Sequence, residues 1–293
     1  MTSAVPTILA IGAVGEFAGL VVPALAGRGA RVRGLVRDAA QGDAARARGA
    51  AEIAIGDLRD RASVDAALRG VDAVFYIAPA FMADEAEVGT VVVNAARRAG
   101  VRRVVFSSVI HPILGALVNH AAKAPVEEAI VESGMEYAFL HPALFMQNLA
   151  GSWPTVVESG VFAEPWSAET RFSRVDYRDV AEVAALALTE DRLTYGTYEL
   201  CAEGHLNRHD VAALMGEALG WEIAAGTLDP DKPAGDAPRG GASPPPPLRA
   251  MFAWYDRHGL LGNALTLRAI LGREPRTLRA YIEELAAAPR PAR

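Results

Sequence analysis

The chain has 293 residues, 51% hydrophobic and 22% charged, with a net charge of −6. That balance suits a packed globular protein and leaves no basic footprint for nucleic acid. No apolar run approaches the ~18 residues of a membrane span, and residues 1–6 lack a basic stretch followed by an apolar one, so no secretory leader is expected.

A lone cysteine, Cys201, cannot form an internal disulfide, which suits a reducing cytoplasm. Its place after an apolar run marks it as a core thiol. The expected setting is therefore cytoplasmic, with a small-molecule partner and neither nucleic acid nor membrane. A homodimer is the one protein assembly left open. Of 29 basic residues, all but Lys123 and Lys232 are Arg. A Lys kept against such a bias points to a task for a compact, titratable ammonium. Lys232 sits in a Pro/Gly-rich stretch and carries no such suggestion.

In chain order, 7–11 is a short apolar run ending in glycine, a buried parallel strand. A helix over 16–26 follows, with Gly27 as its stop. Strands are expected at 31–36, 51–55 and 72–77, with a short helix at 63–68. A helix over 85–99 ends at Gly100, and a fifth strand covers 103–106. One continuous helix is expected over 116–132, then a sixth strand at 137–140. This alternation predicts an α/β fold, a Rossmann-type doubly wound parallel sheet with helices on both faces. Further on, 171–175 reads as extended, 179–189 as helix, 197–201 as strand and 208–219 as helix closed by Gly220. Residues 229–247, with four consecutive prolines, read as a loop. Helices at 248–258, 265–271 and 277–287 complete the chain. The expected division is a nucleotide-binding domain over 1–150, with returning segments at about 171–201. Residues 151–170 and 202–293 form a smaller, mainly helical substrate region.

Between the first strand and first helix stands Gly12-Ala13-Val14-Gly15-Glu16-Phe17-Ala18. In that context Gly12 permits a tight turn, Gly15 lets a pyrophosphate approach the backbone, and Ala18 permits close packing. Val14, Glu16 and Phe17 complete the loop at the helix start, where an anion is favoured. The second strand ends in Val36-Arg37-Asp38. An acid here would hold a ribose 2′-hydroxyl, and an Arg would accommodate a 2′-phosphate. Arg37 favours NADP(H) over NAD(H), and Asp38 blurs the choice. Arg33 is a further candidate for the same phosphate. Ligands bind at strand carboxyl ends. That rule adds Asp57 and Leu58 after the third strand, with Asp57 placed for the adenine amino group. It also adds Ile77, Ala78 and Pro79 after the fourth strand, Ser107 after the fifth, and His141 with Pro142 after the sixth.

Taken together, these segments resemble the NmrA-like branch of the atypical short-chain dehydrogenases. The likeness also draws on Gly56-Asp57-Leu58, Val104-Val105-Phe106-Ser107-Ser108, His120-Ala121-Ala122-Lys123, Phe145-Met146-Gln147-Asn148-Leu149, Val175-Asp176-Tyr177-Arg178-Asp179-Val180-Ala181 and Leu271-Gly272-Arg273-Glu274-Pro275-Arg276-Thr277. The resemblance implies a nicotinamide dinucleotide and a small C-terminal substrate domain of discontinuous segments. It embraces both reductases and redox sensors that bind the cofactor without turnover.

Short-chain dehydrogenases pair a proton-transferring Tyr with a Lys four residues later. Here Lys123 matches the Lys, and Asn119 stands where the Tyr would be. Asn cannot titrate, so a proton for the substrate needs another donor. His120 and His111 are the preferred titratable candidates, with His141 a third. Ser108 could bond a substrate carbonyl, and Phe145, Asn148, Trp254 and Tyr255 could line an apolar planar substrate. No metal-ligand spacing is present. The expected activity is NADP(H)-dependent reduction of an aromatic or conjugated carbonyl or quinone-like compound. The alternatives are a non-catalytic cofactor sensor and a non-redox dehydratase, cyclase or isomerase on the same scaffold.

Overall fold

A computed structural model of the chain describes residues 5–79, 82–229 and 245–288. Lys232 and most of the Pro/Gly-rich loop lie outside these. In chain order the elements are β1 (Thr7–Ile11), α1 (Ala18–Gly27), β2 (Arg31–Val36), α2 (Ala40–Ala47), β3 (Glu52–Ile55), α3 (Arg61–Ala67), β4 (Ala73–Ile77) and α4 (Glu85–Arg98). Then come β5 (Arg103–Ser107), α5 (Val118–Ala121), α6 (Ala124–Glu132), β6 (Glu136–Pro142), β7 (Leu144–Phe145), α7 (Asn148–Ser159), β8 (Val161–Glu164) and β9 (Arg174–Val175). The chain closes with α8 (Tyr177–Thr189), β10 (Gly196–Leu200), α9 (Arg208–Leu219), β11 (Ala224–Thr227), α10 (Pro246–His258), α11 (Leu265–Leu271) and α12 (Leu278–Ala287). No helix among the described residues is long and apolar enough to cross a membrane.

Two compact units emerge: Met1–Pro142 with Tyr177–Glu199, and Ala143–Asp176 with Leu200–Arg293. The first is a Rossmann-type doubly wound sheet. Its strand order is β10-β6-β5-β4-β1-β2-β3, and β1 to β6 pair in parallel. Strand side chains alternate between faces. Leu9, Val74, Tyr76, Val104 and Phe106 share one core cluster with Val64, Leu68, Val92, Val93, Val126 and Ile130, so α3, α4 and α6 cover that face. The alternate residues Ile8, Ala10, Phe75 and Val105 are equally buried and meet the layer where α1 packs on α8. Each large side chain buried this way contributes roughly 1.5–3 kcal/mol. Arg103 fastens α8 to the sheet. Its guanidinium is buried and donates to the carbonyls of Ala187 (2.9 Å) and Glu190 (2.6 Å), and it pairs with Glu136 and Asp191. A cation at the final carbonyls of a helix also suits the helix dipole.

The second unit is mainly helical and carries two small parallel pairings, β8 with β11 and β7 with β9. Its core gathers Met146, Leu149, Phe162, Val211, Met215 and Ile282. Cys201 belongs to this unit, is fully buried and forms no disulfide. A second cluster sets Trp166 tilted against Phe172 (ring centroids 4.9 Å) and Tyr255 edge-on to both.

Sequence periodicity located β1, β2, α9 and α11 with their observed bounds. Four expectations need correction. The helix expected over 16–26 starts two residues late, at Ala18, and Gly27 lies inside it. The helix expected over 116–132 is two helices, because Pro125 sits in the first turn of α6, where a missing N–H costs nothing. Helix α2 went unseen because its sequence buries only Gly42 and Ala45 and so carries no apolar stripe. Helix α7 went unseen because it contains Pro154, a residue that normally breaks helices.

Candidate active site

β1 delivers the chain to the carboxyl edge of the sheet, and residues 12–18 turn it into α1. Gly12 takes φ +77°, a left-handed conformation open to glycine. Its carbonyl accepts the Gly15 amide at 2.8 Å, and a Cβ on Gly15 would lie 3.1 Å from that oxygen. No side chain caps the start of α1. The amides of Val14 and Glu16 bond to no described residue. Bare N–H groups at a helix start are the donors a pyrophosphate needs. These residues therefore fit a dinucleotide on local geometry alone.

Arg48, at the end of α2, braces this loop from below. Its Nη1 donates to the carbonyls of Ala13 (3.3 Å) and Gly15 (3.0 Å). It reaches them across Gly19, where any Cβ would overlap the guanidinium.

At the end of β2, Arg37 is exposed, and its guanidinium has no partner among the described residues. Asp38 instead accepts the amide of Gln41, in the first turn of α2, at 3.0 Å. Arg33 is committed elsewhere: it bonds Glu52 at 2.8 Å and the carbonyls of Ala67 and Arg69. It is therefore held along the β2–β3 edge. Asp57 is exposed and accepts the amide of Arg59 at 2.9 Å, while Leu58 packs on the core. Beyond β4, Ile77 is half-buried, Ala78 buried and Pro79 exposed.

The carboxyl ends of β5 and β6 hold a denser polar group. Ser107 is fully buried and accepts the Tyr177 hydroxyl at 2.9 Å, and burial pushes that hydroxyl's pKa upward. The ring of Tyr177 contacts Phe17 of the glycine loop at 5.3 Å. Ser108 donates to Glu127 Oε1 at 2.5 Å, and the same oxygen lies 2.9 Å from His141 Nε2. Pro142 closes β6 and accepts the Ile110 amide at 3.0 Å. Lys123 sits at the junction of α5 and α6 with its Nζ ion-paired to Glu85, which is buried. The hydroxyl of Tyr76 is buried without a described partner. Burial and the Glu85 charge raise its pKa.

Asn119 lies on α5 and is half-buried. His120 is fully buried with Nδ1 3.2 Å from the His111 carbonyl, and desolvation pushes its pKa down to about 4. It is thereby held neutral near pH 7. His111 adopts φ +55° and stands 3.6 Å from Glu199. In the second unit, Phe145 lies on β7 and Asn148 begins α7, exposed. Trp254 lies 4.6 Å from His258, ring to ring, and Tyr255 belongs to the Trp166 cluster.

Sequence reading passed over Glu127, Glu85 and Arg48. Glu127 had one available signal: it lies four residues after Lys123, on the same helical face. Glu85 looked like an ordinary first-turn acid of α4, and nothing local marks Arg48.

The sequence matches the NmrA-like family over residues 5–259. It is 32% identical over 292 residues to an NAD(P)H azoreductase of Xenophilus azovorans, covering 96% of this chain and 98% of that protein. The fold superposes on the NADPH-dependent quinone oxidoreductase of Escherichia coli complexed with NADPH, with a TM-score of 0.81 at 24% identity, over 95% of this chain and 99% of that one. The Citrobacter triphenylmethane reductase complexed with NADP(H) gives a TM-score of 0.82 at 21% identity, over 96% and 99%.

Proposed function

Because the chain belongs to the NmrA-like family, we propose that it is an oxidoreductase that uses NADP(H), in preference to NAD(H), to reduce a small quinone- or dye-like conjugated acceptor. The observation that carries this reading is the near full-length relationship to the azoreductase, joined to a glycine loop with unbonded amides at the start of α1.

When bound, the dinucleotide supplies a hydride. The chain's own residues do the rest. The amides of Val14 and Glu16, with the start of α1, hold the pyrophosphate. Arg37 would meet the 2′-phosphate with a guanidinium that has no competing partner among the described residues. Lys123, held by Glu85, serves the nicotinamide ribose, and Ser108 meets the substrate oxygen.

The test mixes the protein with NADPH and a panel of quinones, azo compounds and triphenylmethane dyes, and follows loss of dihydronicotinamide absorbance. Tight NADPH binding with no oxidation by any acceptor would replace the enzyme with a cofactor sensor, the reading that Asn119 favours. For cofactor preference, Arg37→Ala is expected to weaken NADPH by about 10- to 100-fold, the loss of a charge-assisted contact, and to leave NADH nearly unaffected. Equal losses in calorimetric titrations would reverse the preference argument.

A further inference from the structure

We propose that Ser108, Glu127 and His141 form the proton supply for the reduced substrate, doing the work for which Asn119 has no titratable group. The proposal rests on the reductase reading above and adds a route for the proton.

One carboxylate oxygen joins the three residues. Glu127 Oε1 accepts the Ser108 hydroxyl at 2.5 Å and lies 2.9 Å from His141 Nε2. The three come from the ends of β5, α6 and β6, at the carboxyl edge where ligands bind in such sheets. Ser108 and His141 are buried, and the Glu127 side chain is 17% exposed. A hydrogen-bonded chain in so dry a place is costly to leave half-satisfied and transmits charge well. Among the described residues, Glu85 pairs with Lys123 and Glu199 lies by His111, and neither carboxylate bonds Ser108. Glu127 is therefore the carboxylate that joins Ser108 to a titratable imidazole.

The balance is simple. A quinone becoming a hydroquinone takes one hydride and one proton. The hydride comes from the reduced nicotinamide dinucleotide, which leaves oxidised. The proton passes from Ser108 Oγ to the substrate oxygen, is replaced on Ser108 from the Glu127–His141 pair, and returns to that pair from water. Ser108 touches the substrate; Glu127 and His141 are positioning residues that act through it. A cationic triphenylmethane dye needs no proton, because hydride addition at its central carbon already gives the neutral product. The two acceptors thus separate proton supply from every other requirement of the site.

The experiment compares wild type, Glu127→Gln and Ser108→Ala on a naphthoquinone and on a cationic triphenylmethane dye, with thermal melting to confirm folding. In both variants quinone turnover is expected to fall on the order of 10²-fold, and by at least about tenfold more than dye turnover, the scale of a lost acid–base contribution. A second readout needs no turnover: in the protein alone, the ring-nitrogen NMR signal of His141 is expected to move in Glu127→Gln. Equal losses on both acceptors, full quinone activity in either variant, or an unmoved His141 signal each overturns the proposal. A wild type that oxidises NADPH with neither acceptor defeats the reductase reading instead, and the His141 signal still reports on the pair.

Discussion

Arg48 shows how a residue at the end of a helix can brace the glycine loop. Its guanidinium holds two loop carbonyls, and charged hydrogen bonds of this kind are worth about 1.5–3 kcal/mol. Arg48→Ala is expected to weaken any dinucleotide by roughly tenfold or more, NADPH and NADH alike. Unchanged calorimetric affinity would show that the loop holds its shape without the brace. His120 makes a different demand. Its folded pKa is depressed from 6.5 to about 4, mainly by desolvation. Between those values the unfolded chain binds a proton that the folded chain refuses, so stability falls as pH drops through that window. The full contribution is present above 6.5, and the loss is complete near 4. The loss amounts to at most about 3 kcal/mol. Denaturant midpoints at about pH 7 and about pH 4.5 should lie closer together in His120→Gln than in wild type; an equal spacing would remove His120 as the cause.

At the scale of elements, the α4–α6 contact sets propensity against packing. Gly89 lies inside α4, where Ala would favour the helix by about 1 kcal/mol. A Cβ there would stand 2.5 Å from Val126 Cγ2, and Val126 is stiff and fully buried. Overpacking of this kind costs about 1–3 kcal/mol, so packing wins and Gly89→Ala is expected to lower the melting temperature. A rise would mean that α4 shifts freely. The same contest explains what the sequence revealed and what it hid. β1 and β2 are legible because burial on both faces gives uninterrupted apolar runs. α9 is legible because Asn207 and Asp210 make a reciprocal cap and Gly220 ends it at φ +82°. α2 and α7 hide because an Ala/Arg-rich stretch and an internal Pro154 erase the pattern, and tertiary contacts supply the helix instead. Of the candidate site, the glycine loop, Arg37 and Lys123 are legible, since each sits at a fixed offset from a strand or matches a family motif. Glu127 and Arg48 are not, because their partners lie 14 or more residues away in sequence.

At the scale of the whole molecule, the unit that carries the seven-stranded sheet is written in two instalments, Met1–Pro142 and Tyr177–Glu199. The second brings α8 and β10. Without α8, Phe75 and Val105 lose their cover and Arg103 loses the carbonyls of Ala187 and Glu190. A chain ended at Asp176 is therefore expected to show no cooperative thermal transition, even though it contains every residue assigned here to the pyrophosphate and the proton route. A sharp melt from that fragment would show that α1 and the strands suffice. During synthesis, a ribosome must then thread out more than thirty intervening residues of the other unit before one face of the seven-stranded sheet can be sealed. The nascent protein passes through an interval in which its glycine loop has been made but α8 has not, and chaperones would have their best opportunity to bind in that interval.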